Sequence, residues 1–159
     1  MREYLGAQKE FTPGVSMAAT MRHLGIDPGN RALMAKLHAQ SPVVNVARMR
    51  RPLLLLAGGE DDRVPIRGVT DYAARLKLLG RDVSLFVDAD AGHNIGDPRT
   101  REAYYFLEET LLHRHLGGVA PEPPSVELRE HLKRNLRLAG PSLLAGLQAP
   151  QRGVGAAAR

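Results

Sequence analysis

Pro52-Leu53-Leu54-Leu55-Leu56-Ala57-Gly58-Gly59-Glu60-Asp61-Asp62-Arg63-Val64-Pro65 is the stretch from which the rest of the chain is read. Its apolar half reads as a fully buried strand, and the paired glycines mark a turn at the strand's carboxyl end. An acidic cluster follows at once. From Ile66 to about Leu79 the period changes to that of a helix, with Val69, Tyr72, Ala73, Leu76 and Leu79 on one stripe. Gly80 is placed to stop that helix. Val83-Ser84-Leu85-Phe86-Val87 then reads as a second strand, and Asp88-Ala89-Asp90-Ala91-Gly92-His93-Asn94 as the loop after it. Together these segments make one βαβ unit.

Two parallel strands joined by a right-handed crossover point the same way. Their carboxyl ends share one edge of the sheet, which is where open α/β sheets place ligands. Asp61 and His93 both fall on that edge. A carboxylate that accepts from a ring N–H fixes the tautomer of the imidazole and steadies its charged form during proton transfer. The two residues would supply two-thirds of an acyl-transfer triad, with the acid ahead of the histidine as in α/β-hydrolases. If so, an Asp61 oxygen should lie roughly 2.6–3.2 Å from a His93 ring nitrogen in a preorganised site and somewhat farther in an incomplete one, and Asp62 should point away. The alternative is a solvated loop acid and a turn histidine.

The residues from Leu56 to Pro65, with Ala91-Gly92-His93 after them, resemble the end of the catalytic domain of the prolyl oligopeptidase family, which includes acylaminoacyl peptidases and dipeptidyl peptidases. The family motif has a glycine, then an acid three positions before a valine that is often followed by proline. A histidine comes some thirty residues later, after a glycine. Asp61 and His93 fit the acid and the histidine, and Ser41-Pro42 ahead of the first strand is similar as well. The resemblance runs from about Ala39 to Gly117. It implies a serine hydrolase acting on peptides or acylated amino acids, in which Asp61 orients His93 and His93 serves as general base and then general acid.

The fold class expected is α/β: the carboxyl-terminal part of an α/β-hydrolase fold, with parallel strands, flanking helices and a helical tail. Three regions are expected: a helical or irregular lead-in over 1–40, the hydrolase portion over 41–118, and a tail over 119–159. In the lead-in, Ser16 caps a short helix bearing Met17, Met21 and Leu24. Asp27-Pro28-Gly29-Asn30 is a turn, and a second helix spans about Arg31 to Gln40. Ser16 has a competing reading. Gly14-Val15-Ser16-Met17-Ala18 is a partial Gly-x-Ser-x-Gly elbow and precedes the acid and the histidine. Against it, the segment before it is polar and holds Pro13, Ala18 replaces glycine, and the fold places another strand between nucleophile and acid, for which the 45 residues before Asp61 leave little room.

After His93, Asp97 caps a helix with Pro98 in its first turn, running to about Leu116 with Ala103, Phe106, Leu107 and Leu111 inside. His113 and His115 suit the dipole at its carboxyl end. As metal ligands they are poorly placed, since residues two apart do not share a helix face. No metal and no cofactor are expected. Pro121-Glu122-Pro123-Pro124 reads as a stiff linker. An amphipathic helix follows from Ser125 to about Ala139, with Leu128, Leu132 and Leu136 on one side. It is read as docked on the core or on a second subunit, the alternative being a membrane surface or an acidic partner. Residues 150–159 read as disordered.

Composition bounds the function. The chain of 159 residues has room for one domain. It has no Cys and no Trp, so neither a disulfide framework nor a tryptophan stacking surface is available. Net charge is +5, but the basic residues are dispersed, so neither nucleic acid nor a membrane is expected as partner. Met1 to Phe11 lacks the apolar core of a signal peptide, which with the missing Cys favours a cytoplasmic setting. The partners expected are a peptide or acyl-peptide substrate and the missing amino-terminal portion of the enzyme or a second subunit. The chain reads as the carboxyl-terminal portion of a serine peptidase whose nucleophile it lacks, so alone it should be inactive. A non-catalytic interaction module on the same scaffold and an esterase or dienelactone-type hydrolase are the other readings.

Overall fold

The computed structural model describes residues 17–148. Helix α1 (Met17–His23) and helix α2 (Arg31–Gln40) come first, and a 3-10 turn (Val46–Arg48) leads into strand β1 (Leu53–Gly58). Helix α3 (Ile66–Leu78) crosses to strand β2 (Val83–Asp88), and helix α4 (Pro98–Leu116) follows. The tail holds helix α5 (Val126–Asn135), strand β3 (Leu136–Leu138) and helix α6 (Pro141–Gln148). The readings of Ser16 and of residues 150–159 fall outside the described residues.

The sheet order is β1-β2-β3. β1 and β2 are parallel, in register from Leu53 opposite Val83 to Gly58 opposite Asp88. Side chains alternate between the two faces. Leu53, Leu55, Val83, Leu85 and Val87 pack with Ala73, Leu76, Val69 and Tyr72 of α3 and with Val46 and Met49. Leu54, Leu56 and Phe86 face the other way, onto Ala103, Tyr104, Phe106 and Leu107 of α4 and onto the tail. Phe86 meets Tyr104 edge-on, with centroids 5.4 Å apart. Leu107 is fully enclosed in this cluster. Leu107→Ala is therefore expected to cost about 2–5 kcal/mol, read as a lower urea midpoint with an unchanged slope; a shift near zero would mean the site collapses around the missing methyls.

Local signals set the helix ends. Asn30 caps α2, its Oδ1 accepting from the Leu33 amide at 3.0 Å. Asp97 caps α4 through the Thr100 amide at 2.9 Å, with Pro98 at the start. That bond, ahead of all other influences, holds the Asp97 carboxyl below its ordinary value. Gly80 (φ +64°) and Gly117 (φ +76°) end α3 and α4 in a conformation that costs glycine little.

Three expectations are corrected. β1 is half-buried along most of its length, whereas β2 is buried at every position. β1 lies at the outside of the sheet, so an apolar run alone did not distinguish an edge strand from a central one. Leu79 does not join the buried stripe; it lies at the C-cap of α3 and is 45% exposed. The tail helix stops at Asn135 instead of continuing to Ala139. Leu136-Arg137-Leu138 becomes a strand antiparallel to β2, with Leu136 opposite Phe86 and Leu138 opposite Leu85. That pairing satisfies backbone groups on an edge of β2 that would otherwise be open. It makes a mixed three-stranded sheet where two parallel strands were expected.

The amphipathic stripe docks on the sheet as expected. Leu128 and Leu132 are buried against Phe86 and α4, and Leu136 is partly buried beside them. α6 adds Leu143 to the same cluster. The approach of α6 to α4 is close: a Cβ on Gly146 would stand 2.6 Å from a methyl of Thr110.

Candidate active site

Asp61 follows β1 by a short turn. Its Oδ1 accepts from the backbone amides of Arg63 at 2.9 Å and Val64 at 2.8 Å. These two bonds fold the acidic loop around its own side chain; the position three on from the acid contributes its backbone amide, a donor that any residue but proline would supply. His93 lies on the loop after β2, with Nδ1 3.1 Å from Asp61 Oδ1 and 3.0 Å from Oδ2. Both distances fall within the reach expected from the sequence. Asp62 is exposed and makes no side-chain hydrogen bond among the described residues.

The two loops meet backbone to backbone. Gly59 N donates to the Asp88 carbonyl at 2.7 Å, and Glu60 N donates to the Ala91 carbonyl at 2.9 Å. The glycines permit this approach. A Cβ on Gly58 would lie 2.3 Å from the Ala91 oxygen, and one on Gly59 would lie 2.6 Å from the Ala89 oxygen. Gly58-Gly59 was read as a turn signal; its larger service is to leave room for the histidine loop.

Partial burial alone would raise the Asp61 carboxyl. The Val64 and Arg63 amides, followed by His93, outweigh it and hold the group below its ordinary value of 3.8. A depressed carboxylate contributes stability that is present above its unfolded value, about 3.9, and lost as pH falls through the folded value. Asp61→Asn should therefore destabilise the chain at pH 7, and the gap between the two proteins should close as pH drops below about 4. Paired denaturation curves from pH 7 to pH 2 check this, and a gap of constant size would contradict it.

The Asp61 side chain is 12% exposed and that of His93 39%. The acid is thus screened from water by its donors while the ring reaches outward. With Nδ1 committed to Asp61, Nε2 is the ring atom left for a reacting group. Among the described residues His93 makes no other side-chain hydrogen bond, and no hydroxyl stands against it. Nor do the described residues hold any group of three or more His, Asp or Glu side chains arranged to bind a metal ion; His113 and His115 are both on the last turns of α4. No helix among the described residues is long and apolar enough to cross a membrane.

Sequence reasoning passed over a second acid–histidine pair. Asp88, the last residue of β2, is buried and lies 3.2 Å from Nε2 of His131 on α5. The acid was visible as a polar residue ending an apolar strand. Nothing local to His131 marked it.

The arrangement is that of an α/β chain carrying an acid–histidine pair at the carboxyl edge of parallel strands. A model of the prolyl oligopeptidase family matches residues 11–118, more than half of the chain, and the chain belongs to that family. Acylamino-acid-releasing enzyme 2 of Oryza sativa subsp. japonica is 33% identical over 63 residues, which cover 40% of this chain and 8% of that protein. The uncharacterized peptidase YuxL of Bacillus subtilis (strain 168) is 38% identical over 69 residues, 42% of this chain and 10% of that protein. Dipeptidyl peptidase family member 6 of Caenorhabditis elegans is 24% identical over 98 residues, 62% and 13% respectively. The matched stretch spans about a tenth of the length of these relatives. No solved structure matches the chain at a significant level.

Proposed function

We propose that the chain supplies the acid and the histidine of a serine peptidase site, and that a serine from outside this chain completes it. The contact of His93 Nδ1 with both Asp61 oxygens, 3.1 and 3.0 Å, carries this reading. Asp61 accepts a hydrogen bond from Nδ1–H and thereby leaves Nε2 unprotonated. Nε2 takes the proton of the serine hydroxyl as the serine attacks the substrate carbonyl, and returns it to the leaving amine. Asp61 stabilises the imidazolium in between. Water repeats the sequence on the acyl-enzyme.

The substrates proposed are peptides or acylated amino acids, in line with relatives named acylamino-acid-releasing enzymes and peptidases. The outer edge of β1 supports the need for a completing segment. β3 covers the free side of β2, whereas among the described residues β1 has an unpaired edge and four half-buried leucines. A serine-bearing segment that adds a strand there would cover both.

A fluorophosphonate probe tests the assignment, because it labels only an activated serine. The isolated 159-residue chain should not react. Labelling should appear once a serine-bearing family segment is supplied, on that segment's serine, and His93→Ala should abolish it. Stoichiometric labelling of the isolated chain at Ser16, lost in Ser16→Ala, would overturn the proposal and make the chain a small complete hydrolase.

A further inference from the structure

We propose that His131 is a positioning residue: it pins Asp88, and through Asp88 the loops bearing Asp61 and His93, to the tail helix α5. The inference rests on the assignment of His93 as the working histidine. It concerns a helix that lies beyond residues 11–118, the range matched by the family model.

Strand parity brings the pair together. Ser84, Phe86 and Asp88 share one face of β2, the face covered by α4 and α5. Asp88 therefore ends the strand with its carboxylate aimed into the helical layer. Oδ2 takes the hydroxyl of Thr100, from the first turn of α4, and faces Nε2 of His131 at 3.2 Å. Oδ1 accepts from the Asp90 amide at 3.2 Å. The Asp88 and His131 side chains are 8% and 9% exposed. The Asn135 amide nitrogen lies 3.4 Å from His131 Nδ1 and 3.3 Å from Nε2 and so favours neither ring nitrogen; the Asp88 carboxylate, which can only accept, makes Nε2–H the donor between the two. An acid buried this far needs its partners, since removing one leaves a charge that water does not reach.

The same residue is the hinge of the site. The Asp88 carbonyl accepts from Gly59 N at 2.7 Å and from Ala91 N at 3.3 Å. One side of Asp88 thus holds the acid loop and the start of the histidine loop, while its carboxylate holds α4 and α5. A shift of Asp88 moves the backbone on which both Asp61 and His93 stand. Proton transfer tolerates only about 0.5 Å of misplacement, so the tail contact sets whether the pair stays aligned. Filling space alone would not require a donor at His131, which separates this role from ordinary packing.

The test uses the isolated chain and NMR. In His131→Leu, the amides of Gly59, Glu60, Asp90 and Ala91 should exchange roughly ten- to a hundredfold faster, the size set by one lost hydrogen bond to a charged group. The downfield Nδ1–H signal of His93 should shift or vanish, while amides of α3, on the far face of the sheet, keep their rates. His131→Gln restores a donor and should recover both signals. A folded His131→Leu with unchanged loop exchange and an unchanged His93 signal would overturn the proposal, as would failure of His131→Gln to rescue. A second measurement needs no variant. In the unsubstituted chain under mild denaturant, Leu132 and Asn135 of α5 should open together with Asp90 and Ala91; independent opening would also overturn it. Neither readout depends on turnover, so a failure of the peptidase assignment would leave the result on this contact intact.

Discussion

In the completed enzyme, Asp61→Asn should lower kcat on the order of 10⁴-fold, the effect of depriving a triad histidine of the acid that sets its tautomer. The substitution keeps the size of the side chain and an oxygen that can accept from the Arg63 and Val64 amides. What it removes is the charge facing His93 at 3.0 Å. An asparagine can offer its amide N–H to the ring, which turns the unprotonated nitrogen inward and puts the proton on Nε2. The histidine then has no lone pair for the serine. KM should change little, because Asp61 sits behind the ring and not against the substrate. His93→Ala should cost as much or more, and the double variant should be no worse than the worse single one, since the members act as a unit. Asp62→Asn, at an exposed side chain with no hydrogen bond, should stay within a few-fold of the parent. Steady-state kinetics on an acyl-peptide substrate decide among these. A full loss in Asp62→Asn with Asp61→Asn spared would reassign the acid.

The acid–histidine contact was legible because it is nearly local to the sheet. Each partner follows a strand by a short loop, the strands are adjacent, and the crossover makes them parallel. Caps and stops were legible for the same reason: Asp97-Pro98 at the start of α4 and Gly80 after α3 act within one turn of chain. What the sequence hid depends on distant partners. Leu128, Leu132 and Leu136 repeat every four residues and invite one continuous helix. Leu136 and Leu138 also alternate, and only the presence of an uncovered edge on β2 decides between the two readings. Tertiary pairing overrode a local period there. The half-exposure of β1 is the same kind of fact, since an apolar run carries no record of how many neighbours its strand has. The Asp88–His131 pair was hidden because all of α4 separates its members in sequence, and neither has a motif around it.

Gly58→Ala should be the most damaging single methyl added to the chain. β1 and β2 are in register at this level, Gly58 opposite Asp88, and the histidine loop turns back directly over it. A Cβ here would stand 2.3 Å from the Ala91 oxygen and 2.5 Å from the Gly92 oxygen. Both obstacles are backbone, so no rotamer relieves the overlap, and the loop must lift by about an ångström to reach ordinary contact. Lifting it breaks the bond from Glu60 N to the Ala91 carbonyl and draws His93 away from Asp61. The expected cost is about 3 kcal/mol or more, seen as a lower urea midpoint together with loss of the His93 Nδ1–H signal. Gly68→Ala is the matched control. Gly68 lies in α3, where an added Cβ would meet nothing within 4 Å. There the methyl restricts the unfolded chain and suits the helix, so stability should rise by about 0.5–1 kcal/mol with the His93 signal unmoved. The pair of variants adds the same atoms to the same type of residue, and opposite signs are expected because only one of them stands where two loops must touch. Equal effects at both positions would mean that the close approach of the Asp61 and His93 loops is not what Gly58 is there to allow.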